Sequence, residues 1–377
     1  MKYRFLLLIS IATLTLSCNK KDSKTSASTK AEVLELQYAK GFQVEVTDQY
    51  THITIRNPWD TVAILNSYIL VDRAKDLPSN LPKGSIIRTP VQSVVATSTL
   101  QCSILNELNS VELVKGVCEP EYIKNPYVVQ GVADGTIINL GMAHSPSLEG
   151  IIMLSPDIVL SDPIIGKNQA NLEKAKVPLV LPTSYTEPHP LGRAEWIRFY
   201  ALFLDAERQA LADSLFSVTV DSYNAVKEKM AEVTHRPTVL TDTRYQGNWS
   251  LPGGNSNAAT LFRDAGAAYI WADDQSNMSM TIAFESVLDK AGDADKWIIR
   301  YFDDKTMTYE SLQNEFKPYS YFKAFKDKEI YTCNTKFATY YDDLPIHPDW
   351  VLKDLANVFH PEMFPDYQPR YYTRMVK

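Results

Sequence analysis

Residues 191–233 contain no proline and a single glycine, Gly192. Proline removes a backbone donor and clashes with the preceding turn, and glycine weakens a helix, so a long stretch almost without them favours helix. Leu202, Phe203, Leu211, Leu215, Val218, Val226 and Met230 fall close to helical spacing. The spacing predicts a long helical region with one break near Asp205. On both sides the chain alternates short apolar runs with helical patterns. Val94–Ala96 reads as a strand, followed by the polar turn Thr97–Thr99 and a helix to Asn109. Ser147–Leu154 reads as a helix, Ile158–Leu160 and Val177–Leu181 as strands. After the middle region come strand Thr238–Leu240, helix Ala258–Ala265, strand Tyr269–Trp271, helix Phe284–Ala291, strand Trp297–Ile299, a last strand Ile330–Thr332 and a closing helix Asp349–Val358. Short apolar strands separated by helices indicate parallel sheets covered on both faces. Val33–Ile55 alternates instead, as antiparallel strands do. The plan is an α/β lobe, a long helix and a second α/β lobe.

The first residues describe export. Lys2 and Arg4 precede an apolar run from Phe5 to Leu16, broken only by Ser10, Thr13 and Thr15. A helix of that length is about 18 Å long, too short for a hydrocarbon core of about 30 Å. Basic start, short apolar core and small residues before a cut make residues 1–17 a secretory signal. Asn19 to Lys30 is Lys, Ser and Thr with almost nothing apolar. It reads as a flexible tether over residues 18–32, because it cannot bury enough surface to offset its ordering entropy. Thr15-Leu16-Ser17-Cys18 resembles the lipobox of bacterial lipoproteins, which implies lipid on Cys18. It departs from that box at Thr15, where an aliphatic residue is usual, and at Leu16, where a smaller one is. An ordinary signal peptide with an incidental cysteine is the alternative.

About 345 residues remain beyond the tether, too many for one compact core and enough for two lobes. The formal charge of −7 becomes −9 once Lys2 and Arg4 are removed, which argues against general nucleic-acid affinity. Cys102, Cys118 and Cys333 form no CxxC. Cys102 and Cys118 can pair in an oxidising compartment, or all three can be buried small hydrophobes.

Several motifs, in order along the chain, resemble the periplasmic binding proteins that serve ABC importers of ferric siderophores, haem and cobalamin, the type III receptors with a single inter-lobe helix, in their Bacteroidetes-type lipoprotein form. They are Val94–Thr99, Leu113–Val117, Ser147–Leu160 as "Glu, helix, Pro-Asp, strand", and Pro190–Trp196 as the start of the inter-lobe helix. In the second half they are Gly247–Ser256 as a cleft loop, Phe284–Leu288 with Ala294–Ile299 as a second "Glu, helix, Ala-Asp, strand" unit, and His347–Leu355 with His360-Pro361-Glu362. The resemblance spans roughly Tyr38 to Phe364. It implies two Rossmann-like lobes with mainly parallel sheets, joined by one long helix, with the ligand cleft between them. The implied divisions are an N-terminal lobe over 33–189, an inter-lobe helical region over 190–232 and a C-terminal lobe over 233–377. It implies a receptor that captures a metal chelate and delivers it to an ABC permease and ATPase complex, as a monomer lipid-anchored in the periplasm, with no cofactor or resident metal of its own and no nucleic-acid partner.

Glu149 and Glu285 each fall in the first turn of an expected helix, where the dipole favours a carboxylate. Plain charge complementation explains that placement. The resemblance implies that one such Glu per lobe docks Arg pockets on the permease, each exposed pair being worth only ~0–1 kcal/mol and acting mainly on orientation and encounter rate. The ligand site is expected in loops at the carboxyl ends of the strands. First-lobe candidates are Thr97, Ser98, Tyr122, His144, Ser184 and Tyr185. Second-lobe candidates are Tyr245, Trp249, Trp271 and Tyr340, with Arg244 and Lys336 as cations. Aromatic faces suit large flat ligands, and Arg or Lys suits anionic ones. Trp249 is singled out because Gly247, Gly253 and Gly254 flank it, and glycine lets backbone approach a ligand.

No G-x-S-x-G, HExxH, P-loop or G-x-G-x-x-G occurs, so the chain is read as a binding protein and not an enzyme. Two other readings stay open: a zinc or manganese receptor, which needs three His and an Asp around one ion, and a lipid-anchored chelatase or cobamide-processing protein on the same fold. A surface receptor without a permease is a third.

Overall fold

The computed structural model describes residues 31–376 apart from 61, 164–171 and 173–175; the signal segment, Cys18 and the tether up to Lys30 lie outside the described residues. The first lobe carries a five-stranded, all-parallel sheet in the order Leu179–Val180, Ile158–Leu160, Val94–Ala96, Val114–Val117, Ile138–Asn139. Every residue of its two central strands is buried, the two-sided burial that unbroken apolar runs require. In front of it stands a second five-stranded sheet, Glu32–Val33, Phe42–Val46, Thr51–Arg56, Ile64–Asp72 and Ser85–Thr89. It is antiparallel up to its last pair, which is parallel.

The second lobe repeats the parallel plan in the order Ala268–Tyr269, Thr238–Thr241, Lys296–Tyr301, Ile330–Asn334. Thr373–Arg374 adds an antiparallel edge strand. Ile330–Thr332 was expected to be the last strand; two residues are too few to show a period of two. In both lobes the aspartate before the central strand caps the neighbouring strand. Asp157 accepts from the backbone N–H groups of Gln92 (2.6 Å) and Ser93 (3.2 Å), and Asp295 accepts from that of Thr238 (2.9 Å). This is the physical content of the Pro-Asp and Ala-Asp motifs.

The expected cleft loop Gly247–Ser256 is not a loop. Asn248–Pro252 is the central strand of a three-stranded antiparallel ribbon with Arg244–Tyr245 and Ser279–Ala283. Trp249 is wholly buried, donates its indole N–H to the Thr241 carbonyl (2.9 Å) and packs among Trp297, Tyr319 and Phe322. A Cβ on Gly253 would come within 2.3 Å of the Ser276 carbonyl oxygen, and one on Gly254 within 2.4 Å of that of Asp274. These glycines let two backbone segments touch each other.

The proline-free region forms two helices, Pro190–Ala201 and Ala206–Ala231. Asp205 makes the break as N-cap of the second, accepting from Arg208 N–H at 3.0 Å, the preferred role of Asp at that position. The buried stripe of the longer helix is Ala212, Phe216, Thr219, Tyr223, Val226 and Met230. It coincides with the stripe read from the sequence at Val226 and Met230 and departs from it earlier in the helix, where Val218 is exposed and Leu211 and Leu215 are half-buried. Ala212 and Phe216 belong to the core of the first lobe, whereas Tyr223, Val226 and Met230 belong to the core of the second. This connecting helix is therefore built into both cores.

The shorter helix is fixed by two buried carboxylates. Glu195 accepts from the N–H groups of Gln37, Tyr38 and Ala39 at 2.7–2.8 Å and from Arg198 at 3.1 Å. Glu187 accepts from Lys40 N–H, Gly41 N–H and the Trp196 indole at 2.8–3.0 Å. Cys102, Cys118 and Cys333 are free and buried, so Cys102 and Cys118 are not paired.

Glu195→Ala leaves three backbone N–H groups without their acceptor and should destabilise the protein by roughly 3 kcal/mol. A lowered urea midpoint reads this out. Glu207→Ala, on the exposed face of the connecting helix, should stay within about 0.5 kcal/mol of wild type.

Candidate functional site

The carboxyl ends of the parallel strands in the two lobes face one another across a groove. At one edge of it lies a cavity of about 420 Å3. Thr99, Tyr122 and Lys124 come from the first lobe, and Arg300, Phe302, Thr335, Tyr341 and Asp342 are among those from the second. The Tyr122 and Phe302 rings meet edge to face at 6.0 Å across the lobes, each about half exposed. Such pairs keep their faces available to a flat partner.

The cations of the cavity are held differently. The Lys124 ammonium donates to the Thr335 and Ala338 carbonyls at 2.8 and 2.5 Å, joining the lobes. Arg300 donates its Nε–H to Asp242 (3.0 Å) and its guanidinium lies 5.8 Å from the Tyr340 ring centre. Burial works against that charge, but Asp242 and the two tyrosines Tyr340 and Tyr372 outweigh it and hold the pKa above the ordinary guanidinium value. Asp342 is buried, and desolvation raises its pKa despite hydrogen bonds from Thr99 and Ser103 of the first lobe and the nearby Lys124 charge.

Deeper along the first-lobe strand ends is a row of polar groups with few partners. Thr97, Asp162 and Thr183 follow three adjacent strands. Among the described residues, the Thr97 and Thr183 hydroxyls, Gln101 Nε2, Tyr185 OH and Arg193 Nε are buried without a hydrogen-bond partner. Burial lowers the Arg193 pKa, opposed by Asp162, Tyr340 and Tyr200. Burial raises that of Asp162, opposed by Arg193. Burial, then the Asp162 charge, push the Tyr185 phenol up to about 12. Buried donors of this kind are costly unless something polar meets them.

The expected site residues divide. Thr97, Ser98 as N-cap of helix Thr99–Glu107, Ser184 and Tyr185 stand at the first-lobe strand ends, and Tyr122 lines the cavity. Lys336 sits beside it, 5.6 Å from the Phe302 ring centre and 2.6 Å from Asp304. Tyr340 is buried beneath Arg300. Trp249 and Trp271 are in the second-lobe core. Arg244 lies over the Phe316 ring at 3.9 Å, Tyr245 is exposed on the ribbon, and His144 is exposed before helix Leu148–Leu154; none of the three lines the cavity. Lys124, Arg193, Arg300, Phe302 and Asp342 were missed. Arg193 carried a signal: a cation in the first turn of a helix opposes the dipole and needs another reason to be there.

Glu149 and Glu285 occupy equivalent places, each exposed at the second position of a short helix that leads into a parallel strand. Exposed Met142, Ile152 and Met153 surround the first in sequence. Among the described residues, no group of three or more His, Cys, Asp or Glu is placed to hold a metal ion.

Residues 94–336 match the family described as periplasmic binding protein. The chain belongs to that family. This periplasmic binding protein is 24% identical over 373 residues to an uncharacterized lipoprotein of Methanocaldococcus jannaschii, covering 92% of this chain and 86% of the relative. Its fold is similar to that of the periplasmic haem-binding protein RhuT of Roseiflexus, with a TM-score of 0.57 and 20% identity over 72% of this chain and 98% of that one. It is also similar to the periplasmic vitamin B12-binding protein BtuF of Vibrio cholerae, with a TM-score of 0.53 and 11% identity over 73% and 99% of the two chains.

Lys124→Ala in this periplasmic binding protein removes the donor to two carbonyls of the opposite lobe. Amide hydrogen exchange of residues 335–343 should quicken about tenfold, the equivalent of roughly 1.4 kcal/mol. Unchanged exchange there would mean that the lysine does not hold the lobes.

Proposed function

We propose that this chain is the substrate-binding lipoprotein of an ABC importer, which captures a metal chelate such as a ferric siderophore, haem or a corrinoid between its lobes and delivers it to the permease. The observation that carries the reading is the cavity between the lobes. It presents the aromatic rings of Tyr122, Phe302 and Tyr341 together with the cations Lys124 and Arg300. Flat faces and positive charge suit a large, planar or anionic ligand. The buried donors around Arg193 supply further polar contacts for such a ligand.

The remaining parts serve the same reading. Residues 1–17 are the export signal, Cys18 carries the lipid and residues 18–32 are the tether. The lobes run over 33–189 and 233–377 with the helical connection over 190–232. The anchor keeps the receptor near its permease in the periplasm, raising the local concentration as a tether does. Glu149 and Glu285 dock one to each permease subunit.

Native mass spectrometry of the purified protein against corrinoids, haem and ferric siderophores tests the binding claim. One of these classes should add a single mass increment, and Phe302→Ala should weaken it about tenfold or more. Glu149→Ala combined with Glu285→Ala should abolish cellular uptake while leaving that increment unchanged; loss of ligand binding in the double variant would overturn the docking role.

A further inference from the structure

A second cavity, also of about 420 Å3, is lined by residues of both lobes. Its outer wall comes from the antiparallel sheet at the start of the chain, ahead of residue 94, where the family match begins. Lys40 and the hairpin residues Arg56 and Trp59 form that wall. Thr183 and Glu187 of the first lobe close the base, and Met278 of the second lobe stands opposite. None of these residues lines the cavity around Tyr122 and Phe302.

Trp59 is 59% exposed, a large aromatic left in water at the rim of a cavity. Its position is set by the hairpin turn, where Trp59 N–H donates to Asn57 Oδ1 at 2.9 Å and Asn57 N–H donates to the Ala63 carbonyl at 3.1 Å. Lys40 and Arg56 make no ion pair among the described residues. Thr183 is completely buried, yet its hydroxyl has no hydrogen-bond partner among the described residues. Glu187, the one carboxylate in the wall, is engaged by three N–H donors, and against it the two cations leave the lining with a net positive charge. Gly41 at the base lies against the buried Trp196 ring, which a Cβ there would approach to 2.6 Å.

We propose that this cavity is a second binding site, specific for an aromatic carboxylate. The ring would stack on Trp59 against Met278, the carboxylate would meet Arg56 and Lys40, and the Thr183 hydroxyl would gain the partner it lacks. An aromatic face next to two cations fits an anion carried on a flat ring better than either a neutral ring or an aliphatic acid. A ligand there touches both lobes and the N-terminal sheet at once. The inference goes beyond the proposed chelate reading; the two cavities share no lining residue, and Trp59 and Arg56, on which the test turns, play no part in that reading, so each can fail alone.

The test is isothermal titration of the full chain with 2-naphthoate, with cyclohexanecarboxylate and 2-naphthalenemethanol as probes lacking the aromatic ring and the charge. 2-Naphthoate should bind with one site, and both other probes about tenfold or more weakly. Trp59→Ala and Arg56→Ala should each weaken 2-naphthoate about tenfold, while Tyr321→Ala, at an exposed aromatic elsewhere, leaves it unchanged. All three side chains are on the surface, so folding is not at issue, and circular dichroism checks this. No binding of 2-naphthoate at millimolar concentration, equal binding of all three probes, or wild-type affinity in Trp59→Ala would each overturn the assignment.

Discussion

One helix belongs to two hydrophobic cores, and the rest of the architecture depends on it. Ala212 and Phe216 at one end of Ala206–Ala231 are part of the first-lobe core, and Tyr223, Val226 and Met230 at the other end are part of the second. A helix resists bending because every interior backbone group is bonded along it. Moving one lobe relative to the other therefore means withdrawing a buried stripe from close-packed surroundings, which costs several kcal/mol for even a few side chains. The shorter helix before it adds to this. Glu195 and Glu187 hold it to the first residues of the folded body through five backbone N–H groups. Across the groove, Lys124 and the contacts of Thr99 and Ser103 with Asp342 span the lobes a second time.

A stiff frame changes how a groove can work. On the proposed reading, ligand contacts have to be present before the ligand arrives. Aromatic edges and cations stand in one cavity, and buried donors without acceptors stand at the neighbouring strand ends. Buried donors are unfavourable until a polar group meets them. The exposed carboxylates Glu149 and Glu285 follow a different logic. They sit at matching positions in the two lobes, so a fixed connection between lobes also fixes the distance between them.

Much of the frame was legible in the sequence. Unbroken apolar runs such as Ile158–Leu160 marked two-sided strands, and the bounds Phe284–Ala291 coincide with the observed helix. Asp205 marked the helix break because a short side chain that accepts backbone N–H groups favours that place. The site was legible only in part. Arg300, Phe302, Thr335 and Asp342 reach one cavity because strand order brings separate loops together, and no local spacing encodes strand order. Glycines around Trp249 were read as a ligand approach, whereas Gly253 and Gly254 serve the contact of two backbone segments. The core stripe of the connecting helix was right at Val226 and Met230 but one face off in its first half, since Leu215 and Val218 are apolar but a helix buried by two lobes is chosen by both at once.

The central claim is that the shared helix keeps the two lobes nearly fixed relative to one another. Small-angle X-ray scattering of the protein, alone and with the chelate that mass spectrometry identifies, measures this directly. A helix shared by both cores should give nearly superimposable profiles, with lobe rotation of a few degrees or less (roughly the flexibility left when a packed core cannot be opened). A marked compaction on binding, of the size that closes a hinge by tens of degrees, would contradict it.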